Sequence, residues 1–123
     1  MKKPFGSSEN STAPLSAAWE VNGLIFLSGK VHADKDLKLV GESIEERFHA
    51  AMERIEEVLI EAGVSIGHIV QVRLYLTDIK ELPALNEAYK KYFQHPLPAR
   101  TAISVVALPL GASLEIEVIA ARP

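Results

Sequence analysis

From Ser113 to Ala120 the sequence reads SLEIEVIA, alternating apolar and polar without a break until its last two residues. A strand sends successive side chains to opposite faces, so Leu114, Ile116 and Val118 share one side while Glu115 and Glu117 share the other. One face is dry, and the other carries two carboxylates that are costly to bury unless paired or hydrogen-bonded. Two further stretches obey the same period. Residues 68–78, HIVQVRLYLTD, set Val70, Val72, Leu74 and Leu76 against Gln71, Arg73 and Tyr75, and residues 101–108, TAISVVAL, supply another apolar strand. LPLG at 108–111 reads as the turn between the last two strands. Arg100 and Glu115 are the candidate chemistry, being charges on strands that otherwise need none. If these strands close as a simple hairpin, Glu115 pairs nearer Ser104 than Arg100, leaving the two about four residues apart at roughly 3.3 Å each. The register stays open at this level, as does a site drawn from two subunits.

The dry face is expected to be covered by helices. Ser43 with Glu46 forms a capping box, and Ile44, Phe48, Ala51, Ile55, Val58, Leu59 and Ala62 recur at helical spacing until Gly63 stops the helix. Its other face, with Glu45, Arg47, Glu53, Glu56, Glu57 and Glu61, reads as water-facing. A second helix has Pro83 in its first turn, a stripe of Leu82, Leu85, Tyr89 and Tyr92, and Lys90 and Lys91 near its C-terminus. The tyrosines read as core and rim packing rather than a stacking platform. Toward the N-terminus, AAWEV at 17–21 and LIFLS at 24–28 flank Asn22 and Gly23, a tight-hairpin signal. Residues 32–40 read as a polar, solvated loop. The resulting order is β-β-α-β-α-β-β, an α+β fold with two helices packed on one face of a mixed sheet. The opposite face mixes Gln71, Arg73, Tyr75, Glu115 and Glu117 with apolar neighbours, which predicts an oligomer.

With 123 residues, 48% of them hydrophobic, the chain is expected to form a single domain over 1–123, with 1–14 as a loose N-terminal segment. A formal charge of −3 and scattered Lys and Arg argue against nucleic acid as a partner. No apolar run approaches the roughly 20 residues of a membrane span. The opening MKKPFGSSEN lacks the apolar centre of a signal peptide, so a soluble, cytoplasmic protein is expected. The absence of cysteine excludes disulfides, thiolate catalysis and zinc–sulfur sites. His32, His49, His68 and His95 match no metal-ligand spacing and read as solvated or locally hydrogen-bonded.

In this order, SGK after an apolar strand, LTD closing the middle strand, LNEAYKKYF in the second helix, then PARTAI and LEIEVIA, the chain resembles the RidA (YjgF) family. The resemblance runs from about Ala17 to the end, and PAR followed by an EIE strand is its specific part. It implies a subunit like that of bacillary chorismate mutase, a homotrimer, and three sites between neighbours for a small carboxylate-bearing metabolite. The implied activity is hydrolysis of enamine and imine intermediates of amino-acid metabolism to 2-oxo acids and ammonia, as in 2-iminobutanoate/2-iminopropanoate deaminases, with no cofactor. On this chain, Arg100 would grip the substrate carboxylate and Glu115 would position or activate the attacking water. Ser28 and Gly29 would line the ligand, Asn86 would lie near it, and Ala102, where many members have cysteine, would offer only its backbone. Two departures stand out: Leu15 replaces the tyrosine of a GPY segment, and Lys30 replaces a glutamine after SG. They keep open a non-catalytic protein that binds a 2-oxo acid or related carboxylate. A ribonuclease or translation-inhibitor role, also attached to the family, is opposed by the acidic balance.

Overall fold

The computed structural model describes residues 2–6 and 13–123. Helix α1 (Ile44–Ala62) starts where the capping box predicts. Ser43 Oγ accepts the Glu46 N–H, and the Glu46 carboxylate accepts the Ser43 N–H. Gly63, at φ 82°, ends it in the left-handed conformation that a side chain would disfavour. Phe48, Ala51, Met52, Ile55 and Leu59 are wholly buried along the inner face of α1. Helix α2 (Leu82–Tyr92) packs beside it, with Phe48 5.9 Å from the Tyr89 ring and 5.4 Å from the Tyr92 ring.

The strands are β1 (Lys2–Phe5), β2 (Ala18–Val21), β3 (Leu24–Leu27), β4 (Lys30–Val31), β5 (Ile69–Leu76), β6 (Ala99–Ser104) and β7 (Leu114–Ala121). They form one mixed sheet in the order β1-β2-β3-β7-β5-β6, with β4 also pairing β7. Every pairing is antiparallel except β5 with β6. Asn22 and Gly23 both take positive φ, giving the expected β2–β3 hairpin. Leu114, Ile116, Val118 and Ala120 are buried on the helix side of β7, as alternation requires. Two helices therefore cover one face of a mixed sheet, the predicted α+β fold.

Four details differ from the sequence reading. Lys2–Phe5 is not loose: it pairs with β2, Phe5 is buried, and the Ala17 N–H donates to the Phe5 carbonyl at 2.9 Å. Residue 1 and residues 7–12 of that segment lie outside the described residues. The last two strands do not form a hairpin, because α2 returns the chain as a crossover. That makes β6 the parallel neighbour of β5 and leaves β7 the opposite side of β5. Along β5 a register shift between Ile69 and Gln71 turns Val70 outward and buries Ile69 instead.

The fourth concerns the 32–40 loop, which is pinned at its start. His32 is buried and its Nε2 accepts the Ser113 N–H at 3.0 Å. A backbone N–H can only donate, so Nδ1 carries the imidazole hydrogen and donates it to the Val40 carbonyl at 2.9 Å. Arg47 of α1 joins the same cluster by donating to Ser113 Oγ at 3.0 Å. The entry to β7 is thus tied to both the loop and α1.

Phe48→Ala should cost about 3–5 kcal/mol as an unfilled core cavity, and Ser43→Ala about 1 kcal/mol as a lost cap, measured by urea unfolding at one protein concentration.

Candidate functional site

The sheet order decides what the two candidate charges can do. Arg100 lies opposite Val72 on β5, and Glu115 lies opposite Tyr75. Val72 faces the helices and Tyr75 faces the open side, so Arg100 and Glu115 project from opposite faces. They are also separated by the width of β5 and three residues along it, roughly 10 Å in each direction. Within one chain they make two separate clefts.

The arginine cleft, of about 300 Å³, is lined by Asn86, Tyr89, Lys90, Leu97, Pro98 and Arg100. One guanidinium N–H of Arg100 donates to Asn86 Oδ1 at 2.7 Å, and its carbon sits 4.8 Å from the centre of the Tyr89 ring. Asn86 and Tyr89 are three apart on α2 and so share a helix face, a spacing readable in the sequence once Arg100 is known to lie over it. Tyr89 was expected only to pack, yet it also carries the arginine. Burial pushes its hydroxyl pKa up, against the opposing field of Arg100. The remaining guanidinium N–H groups are uncommitted among the described residues, leaving a planar donor set for a carboxylate. Ala102 follows on the same edge strand and packs partly against the core. Alternate backbone groups of an edge strand have no ladder partner, which is what a backbone contact to a ligand would need.

The glutamate cleft, of about 330 Å³, brings together Leu15, Gly29, Lys30, Arg54, Pro109 and Glu115, among others. Glu115 presses against the backbone of residue 29: a Cβ there would lie 2.6 Å from Glu115 Oε2, so glycine is what lets the carboxylate in. Gly29 is therefore a glycine that permits close approach of a neighbouring side chain. Ser28 locks the same joint, with its Oγ donating to the Ser16 carbonyl at 2.6 Å and its N–H to the Ala17 carbonyl at 2.9 Å. The Glu115 carboxylate makes no hydrogen bond or ion pair with any described residue, and burial first, then Glu117, raises its pKa above the usual carboxylate range. Arg73, on the same face, pairs with Glu117, which lies 3.6 Å from it and accepts the Tyr75 hydroxyl at 2.7 Å.

The subunit is thus an α+β fold with the Arg100 guanidinium in a cleft at one sheet edge and, on the open face, a half-buried carboxylate that is unpaired among the described residues. The profile described as Endoribonuclease L-PSP matches residues 6–122, and the chain belongs to this family, the YjgF/RidA proteins. It is 41% identical over 125 residues to the fission-yeast protein named "mmf2, mitochondrial", covering 98% of each chain. It is 38% identical over 110 residues to the mouse protein named 2-iminobutanoate/2-iminopropanoate deaminase, covering 89% of this chain and 82% of that one. The crystal structure of the yeast protein YEO7 superposes with a TM-score of 0.91 at 38% identity over the full length of both chains. Membership and these likenesses support a Rid-type function. Among the described residues, no helix is long and apolar enough to cross a membrane.

Two predictions follow from the Glu115 environment. Because its folded pKa is raised, ionising it costs the native state stability at neutral pH but not below its unfolded pKa, where both states are protonated. Glu115→Gln should therefore raise the melting temperature more at pH 7.5 than at pH 4. Gly29→Ala should displace the carboxylate, seen as a changed Glu115 titration by NMR.

Proposed function

We propose that this protein is a cofactor-independent hydrolase of 2-imino acids, working as a homotrimer in which Arg100 of one copy and Glu115 of the next face the same substrate. The observation that carries the reading is Glu115, a half-buried carboxylate with no hydrogen-bond partner among the described residues, admitted by a glycine and held at raised pKa. Structural carboxylates are paired; unpaired ones with perturbed pKa cluster where chemistry is done. The open sheet face supports the assembly, since Trp19, Val21, Leu24, Phe26 and Ile103 are exposed there beside Arg73 and Glu117. A copy seated on that face would bury them and join the two kinds of cleft.

In this arrangement the Arg100 guanidinium takes the substrate carboxylate through two parallel hydrogen bonds, fixing the plane of the imine. An enamine first tautomerises to the imine, whose protonated form is electrophilic at C2. Glu115, ionised, accepts a proton from water as the water oxygen bonds to C2 and the C=N electrons move to nitrogen. The protonated Glu115 returns that proton to nitrogen; ionised again, it takes the carbinolamine hydroxyl proton as the C–N bond breaks with its electrons going to nitrogen, and 2-oxo acid and ammonia leave, the last proton passing from Glu115 to ammonia or solvent. A carboxylic acid of raised pKa suits both halves of this shuttle.

Leu15 favours the second reading, a binding protein without turnover, because it lines the glutamate cleft with an aliphatic wall. Deaminase assays with freshly generated 2-aminoacrylate or 2-aminocrotonate decide between them. Catalysis predicts acceleration over buffer and a loss of at least about a hundredfold in kcat/KM for Arg100→Ala. The acid limb of kcat/KM should lie above the ordinary glutamate range and vanish in Glu115→Gln. Binding of 2-oxo acids with no acceleration by the wild type would leave only the second reading.

A further inference from the structure

The glutamate cleft holds a second charge that the mechanism above does not use. Lys30 lines the same cleft of about 330 Å³ as Glu115. Its ammonium makes no hydrogen bond or ion pair with any described residue, Glu115 included. In the β4–β7 register Lys30 lies opposite Ile116 and Val31 opposite Glu115, so the two charges leave the sheet on opposite sides and meet the cleft from different walls. Two opposite charges that share a cavity without closing on each other leave room for a molecule between them.

A second cation stands behind the first. Arg54 of α1 lines the cleft too, and its one ion pair among the described residues is a 3.7 Å contact to exposed Glu57, longer than a hydrogen bond. The acid that shares this wall is Asp34, whose Oδ1 accepts the N–H groups of Asp36 at 2.8 Å and Lys38 at 3.0 Å within its own loop. The lysine is left with burial and a neighbouring cation, which lower its pKa in that order and are only partly offset by Glu57. Desolvating an ammonium without a partner is unfavourable, and a bound anion would reverse that cost.

We propose that Lys30, backed by Arg54, is an anion subsite for the substrate side chain, so that this protein selects imino and oxo acids carrying a second carboxylate. This rests on the hydrolase reading for the placement of the reacting carbon at Glu115 and of the first carboxylate at Arg100. The two carboxylates then lie at opposite ends of the ligand, with the apolar wall of Leu15 and Pro109 along its carbon chain.

The test is calorimetric titration of the full chain with 2-oxoglutarate and with 2-oxobutanoate, in wild type, Lys30→Gln and Lys30→Arg, each checked for native circular dichroism and oligomeric mass. Wild type should bind the diacid at least about tenfold more tightly, the size of one charge-assisted hydrogen bond. Lys30→Gln should lose that ratio and Lys30→Arg should keep it. Equal binding of the two acids by wild type, no binding of either, or a ratio that survives in Lys30→Gln overturns the subsite. Deaminase assays on the same samples separate the two claims. A Lys30-dependent preference without imine hydrolysis sinks the hydrolase and leaves the subsite, whereas hydrolysis without the preference does the reverse.

Discussion

The alternation of β7 is the constraint on which the subunit depends. Three strands hydrogen-bond to it, β3 and β4 along one side and β5 along the other. A one-residue slip would put its whole buried set into water and its glutamates into the core. That register is held from both ends of the strand: His32 receives the Ser113 N–H at the entry, and the Arg122 guanidinium pairs with Glu20 at the exit. With the strand locked, Glu115 has one place to go, against Gly29 on the open face, and its raised pKa is a consequence of that placement.

Topology then divides the chemistry. The α2 crossover places β6 beside β5, so the arginine and the glutamate end on opposite faces with a strand between them. A single copy presents the Arg100 guanidinium over Tyr89 and the Glu115 carboxylate beside Lys30, each in its own cleft. In the proposed trimer a second copy brings the two together, and the half-apolar open face is where we propose that copy binds. Self-association and catalysis are in this view one requirement.

Much of this was legible in the sequence. The helix caps, the Asn22–Gly23 hairpin and the buried faces of α1 and β7 are local patterns, and local patterns survive folding unchanged. What was not legible is non-local. Pairing of β6 with β5 rather than β7 follows from the handed return of α2, and no residue in LPLG records it. The bulge at Ile69 and Gln71 reverses the expected side of Val70 because an extra residue shifts the period. Asn86 could be placed near Arg100 by resemblance, whereas Tyr89 beneath the guanidinium read only as packing. His32 read as loop because its partners, Val40 and Ser113, lie on separate parts of the chain.

Subunit mixing tests the central claim that neighbouring copies complete one site. Arg100→Ala and Glu115→Gln are each inactive in this account, but unfolding them together and refolding the mixture should restore about a quarter of wild-type activity. In a cyclic trimer every mixed assembly contains one junction with both native residues. Activity no greater than that of the two variants refolded separately, with mixing verified by mass spectrometry, would contradict it.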